Sequence, residues 1–75
     1  MLIMAEVDAR GKSCPLPIVL TAKALRYAPA GELVTVRADD RAFPEDIQAW
    51  CRKTRHELVS LESKAGFFEA LVKKP

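Results

Sequence analysis

The chain has 75 residues, about half of an ordinary domain, so we expect a single domain over residues 1–75 whose small core leaves no room for an enclosed active site. Hydrophobic residues make up 49% and charged residues 29%, a balance typical of globular proteins and not of disordered or fibrous chains. Twelve Lys and Arg against ten Asp and Glu give a net charge of +2, too small an excess to predict direct nucleic-acid binding.

The cysteine count and the start of the chain indicate where the protein acts. Two cysteines are too few for a disulfide framework, so we expect a reducing compartment, the cytoplasm. Residues 1–5 are apolar, but no basic residue precedes them and Glu6 follows, which argues against a signal peptide. Since no run approaches the roughly 20 apolar residues needed to span a bilayer, we expect a soluble protein without membrane insertion.

Six elements are predicted, four strands and two helices. In chain order they are a strand at 2–8, a helix at 15–26, a strand at 33–38, a short helix after Pro44, and strands at 56–63 and 67–73. Alternation of apolar and polar residues indicates the first strand. On the first helix, Ile18, Ala22 and Leu25 recur at four- and three-residue spacing, which predicts that they form its buried stripe.

The order of these elements predicts the fold. A helix between the first two strands implies a right-handed crossover and parallel pairing. The short link at residues 64–66 predicts a hairpin between the last two strands. Two helices for four strands most simply cover one face of a mixed sheet. We therefore expect an α/β fold, a two-layer α/β sandwich of order βαβαββ.

Two prolines close to Cys14 constrain the start of the first helix. Proline is tolerated in the first turn of a helix, where the backbone amides have no partner within the helix. With Cys14 as the N-cap residue, Pro15 is the first helical residue and Pro17 the third. The thiol then lies where capping side chains accept hydrogen bonds, and the Leu16 amide is the single donor left in that turn.

This position predicts a reactive thiol. The positive end of the helix, with Arg10 and Lys12 nearby, favours thiolate, so we expect a depressed pKa for Cys14 and a role as nucleophile or sulfur acceptor. Gly11 would let the backbone turn tightly and keep the approach to the sulfur open. The alternative is that Cys14 is only a small residue in a stiff turn. A Cys-X-X-Cys redox site is disfavoured because the fourth position is Pro17.

The same segment carries a recognisable pattern. Its residues are Asp8, Arg10, Gly11, Cys14, Pro15 and Pro17. Further matches are Gly31, Asp39-Asp40, Asp46-Ile47, Trp50-Cys51 and the run from His56 to Val59. With these elements in order, the chain from about Val7 to Val72 resembles the TusA/SirA family of small sulfur-carrier proteins, whose signature is Cys-Pro-X-Pro.

The resemblance implies a function as well as the two-layer sandwich. Cys14 would hold sulfane sulfur as a persulfide, and Asp8, Arg10 and Gly11 would form the lead-in of the motif. The sulfur would come from a donor protein, a cysteine desulfurase, a rhodanese-like protein or another carrier, and pass to an acceptor protein. Family destinations are tRNA thiolation, molybdenum cofactor assembly and sulfur oxidation. The implied protein is a sulfurtransferase that acts with partners, needs no cofactor and binds no metal.

Two positions depart from the family pattern. Arg41 stands where the family often has Pro, and Arg55 stands where it often has Gly. Because a residue with a side chain resists a left-handed conformation, we expect the turn before the third strand to differ. Both turns are expected on surface that is available to a partner, so these two changes leave the choice of partner open.

Other titratable residues have plainer interpretations. Cys51 shares a helix stripe with Ile47 and Trp50, which predicts an inert core thiol. His56 is expected to be a residue at the start of a strand and not a catalytic base, since nothing in the sequence brings it to Cys14.

Charged groups in the middle of the chain also suggest structural roles. The basic segment Arg52 to Arg55 is typical of a solvated helix end, with docking to an acidic partner surface as the alternative. Asp39 and Asp40 are adjacent, so turn or capping roles are expected for them. Two cysteines and one histidine do not complete a zinc site.

Two other classes of function remain open at the level of sequence. One is a non-catalytic interaction or regulatory module in which the turn at Cys14 is only structural. The other is a thiol redox sensor.

Overall fold

The computed structural model describes residues 5–75 and contains the six elements in the predicted order. They are β1 (Ala5–Ala9), α1 (Leu16–Tyr27), β2 (Leu33–Ala38), α2 (Phe43–Thr54), β3 (Glu57–Lys64) and β4 (Phe67–Lys73). Residues 2–4 of the predicted first strand lie outside the described residues. The βαβαββ order is confirmed.

The four strands form one mixed sheet in the order β1-β2-β4-β3. β1 lies parallel to β2, and β4 lies antiparallel to both β2 and β3. Ala5 of β1 and Lys73 of β4 both lie at the end of the sheet where β2 begins. Ala9 lies opposite Ala38, where β2 ends. Because β1 and β2 are parallel neighbours, the loops that follow them meet at this second end.

Both helices pack on the same face of the sheet, which gives the predicted two-layer sandwich. The buried apolar side chains come from alternate positions of β1, β2 and β4 and from one stripe of each helix. They are Ala9, Leu25, Ala28, Val34, Val36, Ala38, Phe43, Ile47, Cys51, Ala70 and Val72. Within this core, α2 contributes residues at i, i+4 and i+8, as expected for an amphipathic helix.

The buried stripe of α1 differs from the prediction. Leu25 is buried, but Ile18 and Ala22 are only half-buried, and the fully buried stripe runs through Pro17, Thr21 and Leu25. A threonine can occupy the core here because its hydroxyl donates a hydrogen bond of 2.8 Å to the Pro17 carbonyl. Hydropathy alone predicts that Thr21 is exposed. The prediction fails because this local hydrogen bond satisfies the hydroxyl and lets the side chain be buried.

The face of the sheet opposite the helices carries ion pairs. The Arg37 guanidinium contacts the Glu6 carboxylate at 2.7 Å and the Glu69 carboxylate at 3.0 Å. Lys64 lies 3.7 Å from the carboxylate of Glu62. Alternating charges on neighbouring strands suit a solvated sheet face. In the part of the chain that the structure describes, no helix is long and apolar enough to cross a membrane.

The turn between α2 and β3 is left-handed, so the expectation that Arg55 would change it is wrong. Arg55 ends α2 with φ 61° and ψ 32°, and its backbone N–H donates to the Cys51 carbonyl. The next amide, of His56, donates to the same carbonyl at 3.0 Å. These hydrogen bonds satisfy the end of the helix and hold Arg55 in a conformation that costs an L-residue about 1–2 kcal/mol.

We expect Arg55→Gly to raise the free energy of unfolding by about 0.5–1 kcal/mol. Glycine removes the left-handed penalty, and its greater freedom in the unfolded chain offsets part of the gain. In a domain of this size the melting temperature should rise by roughly 2–8 °C, measured by circular dichroism. Arg55→Ala removes the same charge but keeps the penalty, so equal stabilisation by Ala and Gly would contradict the backbone explanation.

Candidate functional site

Cys14 lies exposed between β1 and α1, in the turn over residues 13–16 that leads into the helix. The Leu16 N–H donates to the Ser13 carbonyl at 2.9 Å, and the peptide bond between Cys14 and Pro15 is cis. The helix begins at Leu16, with Pro15 as its N-cap residue and Pro17 in its first turn. The prediction that Cys14 is the N-cap residue is therefore wrong by one residue. The Leu16 N–H, whose hydrogen bond the thiol was expected to accept, donates to the Ser13 carbonyl instead.

The thiol has a carboxylate partner. Cys14 Sγ donates a hydrogen bond of 3.0 Å to Asp46 Oδ2, in the first turn of α2. This hydrogen bond, followed by desolvation and the negative charges of Asp46 and Asp40, raises the pKa of Cys14 above its usual range. The expected depressed pKa is wrong because two carboxylates, and not the positive end of α1, dominate the surroundings of the sulfur.

The Cys14 sulfur and one carboxylate oxygen each from Asp40 and Asp46 lie within 4.8 Å of one another. These three donor atoms are one short of the four protein ligands of a structural zinc site. Thiolate is the form that binds metals, whereas the contact with Asp46 is that of a protonated thiol. We interpret the cluster as the acidic environment of the thiol.

Arg10 does not offset this acidity, because Asp8 engages it. The guanidinium makes two hydrogen bonds to the Asp8 carboxylate, at 2.8 and 3.0 Å, and lies 5.5 Å from the centroid of the Phe67 ring. The hydrogen bonds from Arg10 lower the pKa of Asp8 to about 2. The structure thus pairs these two sequence-predicted residues with each other, whereas the Cys14 thiol is hydrogen-bonded to Asp46.

Gly11 connects the Cys14 loop to the end of β2. Its φ of 80° lies in the region that favours glycine, and its N–H donates to both carboxylate oxygens of Asp39 at 3.0 Å. This contact fits the structural role expected for Asp39. The next residue, Asp40, accepts a 3.1 Å hydrogen bond from the Phe43 N–H through its carbonyl, at the start of α2.

Sequence reasoning gave Asp39 only a general turn or capping role and missed the contact of Asp46 with the thiol. Each lies about thirty residues from the group it contacts, at separations of 28 for Gly11 and 32 for Cys14. The available signal is the predicted parallel pairing of the first two strands. It places the loops after β1 and β2 side by side, and acidic residues after β2 then face the Cys14 loop.

The thiol opens onto a shallow groove of about 290 Å³ between the two helices. Apart from Cys14, the groove is lined by Pro15, Ile18, Asp46, Ala49, Trp50 and Lys53. Most of these side chains are apolar, with Asp46 beside the sulfur and Lys53 two turns farther along α2. The exposed sulfur therefore has an apolar surface on one side and carboxylates on the other.

The other two titratable candidates, Cys51 and His56, have partners other than this thiol. Cys51 is buried in the core as predicted, and burial raises its pKa. The His56 ring stacks on Trp50 with centroids 4.7 Å apart, and its Nδ1 lies 2.8 Å from the Thr54 hydroxyl. Partial burial, and then the charge of Lys74, lower the pKa of His56. These contacts fit the expected structural role of this histidine.

The fold and the site define a small two-layer α/β protein with an exposed thiol between its first strand and its first helix. Comparison with known proteins identifies the family. Residues 5–74 match the family model described as Sulfurtransferase TusA. The chain belongs to the TusA family, which confirms the resemblance expected from the sequence.

Individual relatives agree with this assignment. A putative sulfur carrier protein of Archaeoglobus fulgidus is 38% identical over 71 residues, which cover 95% of this chain and 97% of the relative. The sulfur carrier protein TusA of Allochromatium vinosum is 36% identical over 69 residues, covering 92% and 91%. The crystal structure of a SirA-like protein from Desulfitobacterium hafniense superposes with a TM-score of 0.79 at 28% identity, covering 95% of this chain and 96% of that one.

Proposed function

We propose that this protein is a sulfur carrier that holds sulfane sulfur as a persulfide on Cys14. The observation that carries the proposal is the contrast between the two cysteines in a chain of this family. Cys14 is exposed beside a groove, whereas Cys51 is 3% exposed in the core and has no path to a partner's sulfur. A carrier needs only one accessible thiol, since its partners supply the remaining catalytic groups.

The chemistry requires no cofactor. The Cys14 thiolate attacks the outer sulfur of a donor persulfide, R–S–SH. A bond forms between Sγ and that sulfur, and the S–S bond of the donor breaks. The donor leaves as a thiolate and takes up the proton that Cys14 lost. The products are Cys14–S–SH and R–SH, with no net oxidation or reduction, and an acceptor protein removes the outer sulfur by the same kind of exchange.

The other motif residues support this thiol as a scaffold. Pro15 and Pro17 begin α1 immediately after the sulfur, and Gly11 fixes the loop to Asp39. Asp8 pairs with Arg10, as described above. We propose that residues 1–75 act as one carrier domain in the cytoplasm, where reducing conditions keep both cysteines free.

Donor and acceptor proteins are the partners of this domain. The candidate donors are a cysteine desulfurase, a rhodanese-like protein or another carrier. Candidate destinations of the sulfur are tRNA thiolation, molybdenum cofactor assembly and sulfur oxidation. The carrier would deliver sulfur to a protein and not contact nucleic acid, in keeping with a net charge of only +2.

We expect sulfur loading to depend on Cys14 alone. The protein is incubated with a cysteine desulfurase and cysteine, or with a rhodanese and thiosulfate, and its peptides are analysed by mass spectrometry. One sulfur atom should be added to the peptide that contains Cys14. Cys14→Ala should reduce loading to background because Cys51 is buried, whereas Cys51→Ala should load normally. Absence of any added sulfur, under conditions that load a known carrier, would refute the proposed function.

A further inference from the structure

Asp46 is held against the Cys14 sulfur by its position in α2. It lies in the first turn of the helix, where its backbone N–H donates to the Ala42 carbonyl at 2.9 Å. Acidic residues in the first turn interact favourably with the helix dipole. Asp46 as a residue is also half-buried, in contrast to the exposed Glu45 beside it. The 3.0 Å contact with Sγ is thus built into the packing of α2 beside the Cys14 loop.

The charges that face the sulfur are predominantly negative. Asp46 comes from α2 and Asp40 from the loop before it, and Asp40 Oδ2 is buried with no hydrogen-bond partner among the described residues. The neighbouring part of α1 contributes only apolar side chains to the groove. Lys53 lines the groove two helical turns from Asp46.

The loop between β1 and α1 offers little compensation. Arg10 is paired with Asp8. Lys12 is exposed, and its backbone N–H donates a hydrogen bond to the Ala9 carbonyl. The carboxylates outweigh the positive end of α1 in this arrangement, and the pKa of Cys14 is raised, first of all by the hydrogen bond to Asp46.

We propose that Asp46 is a positioning residue that keeps the Cys14 thiol protonated in the free protein, so that the carrier reacts with sulfur faster when a donor brings a cationic group to this carboxylate. The inference rests on the proposed sulfur-carrier function and specifies the class of donor. A Lys or Arg ammonium or guanidinium placed against Asp46 and Asp40 would neutralise the repulsion that a thiolate meets there. The thiol proton then leaves, and Sγ attacks the outer sulfur of the donor persulfide as written above.

This arrangement would protect an exposed thiol between transfers. Thiolate, and not thiol, is the form that is oxidised or alkylated. If the Cys14 thiol ionises mainly beside a donor, it is protonated, and therefore less reactive, when other electrophiles reach it.

The first test measures the reactivity of Cys14 without any sulfur donor. In a Cys51→Ala background, the rate of alkylation by iodoacetamide is followed from pH 6 to pH 10. Asp46→Asn should move the pH profile to lower pH and raise the rate at pH 7 by about threefold. The figure combines two opposing effects. The thiolate population should grow roughly tenfold, but a less basic thiolate is also less nucleophilic, which reduces the gain in rate to about threefold.

Glu45→Gln is the matched control. It removes one negative charge from the same helical turn, on an exposed side chain, and leaves the hydrogen bond between Asp46 and Cys14 in place. It should leave the alkylation profile unchanged, and circular dichroism should show the same helix content in all variants. An Asp46→Asn profile that coincides with the parent profile, or lies at higher pH, would overturn the inference.

The second test uses two small persulfide donors of opposite charge at low ionic strength. Cysteamine persulfide carries an ammonium group, and glutathione persulfide is anionic. The parent protein and Glu45→Gln should load faster from the cationic donor, and Asp46→Asn should reduce this preference by about threefold. An unchanged preference in Asp46→Asn would contradict the inference while leaving the carrier function intact. Failure of both donors to load the parent protein would instead count against the proposed function.

Discussion

Replacing Phe43 with Ala is expected to unfold most of the protein at room temperature. Phe43 is the largest fully buried side chain, with 1% of its surface exposed, and it lies where α2 begins to pack on the sheet. Phe→Ala in a core typically costs about 3–5 kcal/mol. A single core in a chain of this length seldom provides more than roughly 3–5 kcal/mol of net stability, so little of the folded state should remain.

Urea unfolding followed by circular dichroism measures this loss. Tyr27→Ala is the control, because it removes an aromatic ring that is 76% exposed at the end of α1, and its effect should stay within about 0.5 kcal/mol. A Phe43→Ala protein that unfolds cooperatively with a loss below about 1 kcal/mol would mean that the core closes around the missing ring.

Gly11→Ala is expected to impair both stability and sulfur loading. At φ 80° an L-residue is strained by about 1–2 kcal/mol, and the added methyl group would meet no described heavy atom within 4 Å, so the cost arises in the backbone. Relief of this strain would pull the Gly11 N–H away from the Asp39 carboxylate. The loop that carries Cys14 then loses its anchor to β2, and loading from a persulfide donor should slow.

Gly31→Ala separates the two effects. Gly31 has a φ of 86° with equally open surroundings, but it lies before β2, at the opposite end of the strand from Asp39. Unfolding experiments should show losses of similar size in the two variants, whereas loading, assayed below the melting temperature of both, should fall only in Gly11→Ala. Equal loading in both would show that the anchor does not matter for transfer.

The sequence was sufficient to predict the fold because its patterns are local. The alternation in β1, the apolar stripe of α2 and the short hairpin link each follow from neighbouring residues, and the helix between β1 and β2 implies their parallel pairing. The α1 stripe was misplaced at Ile18 and Ala22 because hydropathy does not register that the Thr21 hydroxyl bonds to the helix backbone. Arg55 was misjudged because the hydrogen bonds that close α2 outweigh its intrinsic preference.

For the site, the sequence predicted only features that depend on residues next to Cys14 in the chain. The position of Cys14 beside the start of a helix followed from two prolines, but the direction of the shift in its pKa did not. The pKa of this thiol depends on Asp46, which is 32 residues away in the chain and reaches the sulfur only when α2 has packed beside the Cys14 loop. Short-range rules predict that Arg10 stabilises the thiolate, whereas in the folded protein its guanidinium is hydrogen-bonded to the Asp8 carboxylate.

The register of the sheet also determines how the carrier can be joined to other molecules. Ala5 and Lys73 lie at one end of the sheet, and the loop that carries the sulfur lies at the other, about 15–20 Å away along five or six strand residues. A fluorescent protein or a surface linker attached before β1 or after β4 therefore lies at the end of the sheet opposite the thiol, where it does not obstruct an approaching donor. Either attachment should allow transfer kinetics to be followed on immobilised carrier without shielding the thiol.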